Sequence, residues 1–79
     1  MKIPRDVSGR ELIKILCRDF GYHQINQEGS HVILSTDIPS SQRIAVPDHK
    51  ALRIGTLNSI VRAVARHKGL ERAELIKAL

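Results

Sequence analysis

Tyr22-His23-Gln24-Ile25-Asn26-Gln27-Glu28-Gly29-Ser30-His31-Val32-Ile33-Leu34-Ser35-Thr36 decides the fold of this chain. Its composition is that of a β-hairpin: Tyr22 to Gln27 predicts one strand, Glu28-Gly29 the turn, and Ser30 to Thr36 a return strand rich in β-branched residues. In that register Asn26 lies opposite His31, Ile25 opposite Val32 and His23 opposite Leu34. Side chains alternate along a strand, so Ile25, Val32 and Leu34 share one face while Gln24, Asn26 and His31 share the other. A turn at Gly29-Ser30 preserves the same grouping.

A third strand, Gln42 to Val46, follows the loop Asp37-Ile38-Pro39-Ser40-Ser41 and stops at Pro47, which cannot donate to a ladder. Ile44 and Val46 join the apolar face, and Arg43 takes the opposite parity. The second face then carries Gln24, Asn26, His31, Ser35 and Arg43, together with Ile33 and Tyr22. Ile33 is apolar on an otherwise polar face, which points to a protein that covers it.

Helices flank the sheet in sequence. Ser8 is an N-cap candidate with Glu11 at the spacing of a capping box, and Leu12, Ile13, Leu16, Cys17 and Phe20 form an apolar stripe. Gly21 suits the residue just past that helix. After a loop from Asp48 to Ile54, with Gly55 still in loop geometry, Thr56 is expected to cap a second helix. Its stripe is Leu57, Ile60, Val61, Val64 and Ala65, and Gly69 ends it. Leu70 to Leu79 predicts one more short helix with Ala73, Ile76 and Leu79 inward. The fold class is therefore α+β: α-β-β-β-α with a three-stranded antiparallel sheet, helices on one face, and a short C-terminal helix.

At 79 residues the chain is expected to be one domain, residues 1–79, with a core of Ile, Leu, Val and Ala. The net charge of +5 and a pI near 10.0 favour a polyanionic partner, nucleic acid above all, although an acidic protein satisfies the same charge. The single cysteine, Cys17, excludes an intramolecular disulfide and reads as a buried, inert thiol. No apolar run has signal-peptide or membrane-spanning length, so the expectation is a cytoplasmic protein with no membrane partner.

Three ordered blocks resemble the HicA family of toxins. They are Ser8-Gly9-Arg10-Glu11-Leu12-Ile13-Lys14-Ile15-Leu16 followed by Gly21-Tyr22; Gly29-Ser30-His31; and Val46-Pro47-Asp48-His49 through Leu52 to Ile54-Gly55-Thr56-Leu57 and Ser59-Ile60. The resemblance covers nearly the whole chain. It implies a fold like the double-stranded-RNA-binding domain, cleavage of mRNA without a ribosome, and neutralisation by a HicB-like antitoxin. It carries the family's catalytic histidine onto His31. The chain alone is expected to be a monomer, and a hetero-oligomer with its antitoxin.

The residues themselves support that chemistry. An imidazole exchanges protons near neutral pH, and it can take the proton of an RNA 2′-hydroxyl as base or protonate the leaving oxygen as acid. Gly29 permits close backbone approach to RNA, Ser30 offers a hydroxyl to phosphate, and Arg43 and Lys50 are candidate phosphate partners. No cofactor is expected, and the histidine spacing matches no zinc motif, so no metal is expected either. His23 reads as structural on the core face, His49 as orienting its loop, and His67 as a helix-end cation. The basic residues at the end of the second helix fit either a solvated face or RNA contact. Two alternatives stay open: a non-catalytic RNA-binding module of the same fold, and an inactive relative that mainly binds an antitoxin-like protein.

Overall fold

The structure, a computed structural model, describes residues 4–79. Its elements are α1 (Gly9–Asp19), β1 (His23–Glu28), β2 (His31–Thr36), β3 (Gln42–Pro47), α2 (Ile54–Lys68) and α3 (Arg72–Ala78). The strands form one antiparallel sheet in the order β1-β2-β3. This is the expected α+β arrangement.

α1 begins where Ser8 Oγ accepts a hydrogen bond from Glu11 N at 3.0 Å, and Gly21 follows its C-terminal cap at φ 73°. Its stripe buries Leu12 and Leu16 completely, against Val32, Leu34 and Val46 of the sheet and Leu57, Val61 and Val64 of α2. Each such side chain contributes about 1.5–3 kcal/mol by leaving water. Gly69, left-handed at φ 68°, ends α2. α3 opens with a reciprocal capping box between Glu71 and Glu74; it buries Ile76 as expected and Leu75 in addition, while Ala73 and Leu79 are only partly buried, Leu79 against the core.

Three expectations are corrected. The hairpin turn is Gly29-Ser30, so Glu28, not Asn26, lies opposite His31. A bulge between Gln24 and Asn26 inserts Ile25 as an extra residue, which reverses the parity of everything before it. Ile25 therefore emerges 43% exposed beside Ile33 and Arg43, His23 is exposed, and Tyr22 turns into the core at 3% exposure. Gln24 moves to the α1 side, where it lines a groove with Arg10, Ile13, Lys14 and Gln27. Asn26 Oδ1 accepts from Gln27 N at 2.8 Å, a local bond that competes with regular pairing beside the bulge.

The third correction concerns α2. It starts at Ile54 with Arg53 as N-cap and no side-chain cap, so Thr56 and Gly55 lie inside its first turn. Arg53 already has the extended backbone of a cap, φ −63° and ψ 142°, and the helix follows at once. The second pairing, β2 with β3, runs without irregularity from His31↔Pro47 to Thr36↔Gln42, one residue beyond the predicted strand end.

Candidate active site

The hairpin tip positions His31. Gly29 has φ 60° and Ser30 does not share the positive sign, the pattern of a two-residue II′ turn that matches the twist of its strands. His31 is thus the first residue of the central strand, exposed, with Glu28 opposite it on β1 and Pro47 on β3. Its parity places it with Ile33 on the face away from the main core, as the alternation argument expects.

Backbone bonds hold this end of the sheet. Asp48 N donates to Ser30 O at 2.6 Å, Gly9 N to His49 O at 2.9 Å, and Leu52 N to Val7 O at 2.8 Å. Arg10 reaches Asp48 at 3.5 Å, an exposed ion pair of small energetic weight. α1 and β3 meet so closely that a Cβ on Gly9 would stand 1.9 Å from Pro47 O. The loop after β3 is therefore clamped between the hairpin tip and the start of α1.

His31 lines an open cavity of about 510 Å³ together with Ala45, Pro47, Gly55, Thr56, Ser59 and Ile60. One wall is thus the first turn of α2. The first N–H groups of a helix have no intrahelical partner, and with no side-chain cap those of Ile54, Gly55 and Thr56 are left to other acceptors. Such amides, with the helix dipole behind them, favour an anion. Thr56 and Ser59 add hydroxyls to the same wall.

The other expected site residues are distributed unevenly. Gly29 supplies the turn conformation, with open space where a Cβ would be. Ser30 keeps its side chain exposed while its carbonyl is used by Asp48. Lys50 is exposed on the clamped loop. Arg43 is exposed but pairs with Ser35, four residues along β2 from His31, or about 13 Å at strand spacing. It lines a separate depression with Ile25, Asn26, Glu28 and Ile33. Ser35 keeps its parity but is nearly buried.

Of the remaining histidines, His49 is exposed and its carbonyl accepts from Gly9 N. His23 is exposed rather than inward, a consequence of the bulge. His67 Nε2–H donates to Ser40 O at 2.8 Å, so this ring anchors the β2–β3 loop rather than serving as a plain helix-end cation. Lys68 is absorbed in the same way, through Thr36 Oγ1 at 2.8 Å and the Ile38 carbonyl. Arg62 and Arg66 differ: both stay exposed and line a groove of about 290 Å³ with Gly55, Asn58, Ser59 and Ala63. Gly55, Ser59, Arg62 and Arg66 recur at helical spacing opposite the apolar stripe, a pattern present in the sequence.

Cys17 is half-buried rather than buried, packed against the core, and burial pushes its thiol above the ordinary value. Among the described residues, no helix is long and apolar enough to cross a membrane, and no three His, Cys, Asp or Glu side chains gather as a metal site. Neither characterised proteins nor solved structures give a significant match to the chain. Residues 9–71, from the first residue of α1 to the N-cap of α3, match the model for the HicA toxin of bacterial toxin–antitoxin pairs, and the chain belongs to that family.

Proposed function

We propose that this toxin is a metal-independent endoribonuclease that cleaves mRNA with His31 as its acid/base residue. Family membership makes it the toxin of a pair with an antitoxin partner. The observation that carries the enzymatic reading is the position of His31: exposed at a hairpin tip and facing, across one cavity, the uncapped first turn of α2. That cavity offers a proton-transfer group and a phosphate cradle together.

The reaction is a transesterification. The imidazole takes the proton from a ribose 2′-hydroxyl, the 2′ oxygen forms a bond to the adjacent phosphorus, and the bond to the 5′ oxygen breaks. That oxygen leaves with a proton taken from water, the imidazolium returns its own proton to solvent, and the upstream strand ends in a 2′,3′-cyclic phosphate. The amides of α2 with Thr56 and Ser59 would hold the phosphoryl oxygens, where negative charge grows. Ser30 and Lys50 border the hairpin side of the substrate, and Gly29 keeps the tip slim. Arg43, displaced along the sheet, serves the strand away from the scissile bond or the antitoxin.

A HicB-like antitoxin suits the open sheet face, where Ile25, half-buried Ile33 and Arg43 lie together. Apolar and acidic groups on such a partner would cover it, giving a hetero-oligomer from a toxin that is monomeric alone. The protein is expected to act in the cytoplasm, on mRNA.

His31→Ala tests the reading. Cleavage of a purified transcript should fall by about 10²–10⁴-fold, the usual contribution of a positioned acid/base group. Thermal stability should not change, because the side chain is exposed. Equal cleavage by His31→Ala and wild-type protein would refute the mechanism, and RNA bound but left intact by the wild type would favour a binding module.

A further inference from the structure

The groove along α2 shares Gly55 and Ser59 with the cavity of His31. The two depressions therefore form one surface, from the hairpin tip over the first turn of α2 to Arg62 and Arg66. From Gly55 to Arg66 this helix rises about 16 Å, enough for several nucleotides at stacked spacing.

Among the described residues, neither arginine has a side-chain partner. The ion pairs among the described residues are Arg10–Asp48 and Arg18–Asp19, so neither Arg62 nor Arg66 meets a carboxylate. Arg72, by contrast, donates to Asn58 Oδ1, and His67 and Lys68 are tied to the β2–β3 loop. Like charges four residues apart on one helix face repel. The dipole rationale reaches only the last turn, which includes Arg66 and not Arg62. The carboxylates of Glu71 and Glu74 each accept from the other residue's backbone N–H in their capping box.

We propose that Arg62 and Arg66 form a phosphate subsite that holds the RNA strand away from the scissile bond and feeds it to His31. Guanidinium groups grip phosphate oxygens in a forked geometry, and the exposed helix face leaves their donors free. The subsite rests on the reading of His31 as the catalytic residue for its purpose, but not for its existence.

The test combines Arg62→Gln and Arg66→Gln in one variant and measures two quantities. In a His31→Ala background, binding of a single-stranded RNA oligonucleotide is followed against salt. Loss of two phosphate contacts should reduce the slope of log K on log[salt] by about 1.4 and weaken binding by about tenfold at 0.15 M salt. In the otherwise wild-type protein, KM for RNA should rise while kcat is retained. Unchanged affinity and slope would overturn the subsite even if His31→Ala abolishes cleavage. Weaker binding in the double variant would keep the subsite even if His31→Ala still cleaves. A variant that binds RNA normally and loses only its antitoxin would also overturn it and assign the two arginines to the protein partner.

Discussion

The two ends of the central strand β2 are built on different terms. At the Thr36 end side chains do the holding. Thr36 is fully buried, and its Oγ1 accepts from Lys68 Nζ at 2.8 Å; the same ammonium bonds the Ile38 carbonyl and stands 4.9 Å from the centre of the Tyr22 ring. Tyr22 donates in turn to Gln42, whose amide donates to Ala63 O, and His67 pins Ser40. At the His31 end the backbone does most of the holding, through Asp48 N to Ser30 O and Gly9 N to His49 O; side chains add only the Arg10–Asp48 pair and the bond from Gln27 Nε2 to Gly29 O, and His31 itself stays free. A strand end fastened by its main chain leaves its side chains available for a substrate, whereas one fastened by side chains has spent them on stability.

The comparison can be broken most severely at Gly9. Helix propensity alone predicts that Gly9→Ala stabilises α1, by up to about 1 kcal/mol. The close approach of Pro47 O predicts the reverse, because a Cβ at 1.9 Å meets backbone that must move. We expect destabilisation at or beyond the upper end of the ~1–3 kcal/mol range for overpacking. Cleavage should fall with it, since Pro47 is the β3 partner of His31. Thermal melting of the variant decides the sign, and a melting temperature at or above wild type would show that the clamp is not needed.

A smaller effect is expected at the other end. Lys68→Met removes a charged donor from Thr36 and Ile38 and the cation from the Tyr22 ring. The expected loss is about 2 kcal/mol, or roughly 10 °C in Tm for a domain of this size. RNA cleavage at a temperature where the variant is folded should match wild type. If cleavage fell as well, the two ends of β2 would be coupled rather than separately built.

How far the sequence announced this arrangement depends on the range of each interaction. Ser8, Gly21 and Gly69 were legible because a cap acts within three or four residues of itself. The face of His31 was legible although the turn lay one residue later, because both turns give His31 and Asn26 the same parity. The bulge at Ile25 was not legible. It depends on Tyr22 finding Gln42 and Lys68, 20 and more residues away, which no local pattern encodes. Thr56 resembled a cap because the apolar stripe begins after it; Arg53 takes that role without a side-chain bond, and this frees Thr56 to face His31. The catalytic candidate was therefore visible in the sequence, and its cavity wall on α2 was not.

The finest division between the two ends is a matter of pH. Burial raises the Tyr22 phenol to about 12. A raised folded-state value means that the buried phenol contributes fully below pH ~10, the ordinary value for tyrosine. That contribution is lost as pH climbs toward 12, because the unfolded chain ionises first. Lys68 stands over the same ring, so the informative quantity is the difference between wild type and Tyr22→Phe. Near neutrality the variant should be less stable by about 1 kcal/mol, the net worth of one hydrogen bond. Above pH ~10 that deficit should shrink, since phenylalanine has no proton to lose. Melting curves of both proteins at intervals from pH 8 to 11 measure it. A deficit that holds constant across the series would mean that the phenol is not sealed from water, and that the Thr36 end is more open than its hydrogen bonds imply.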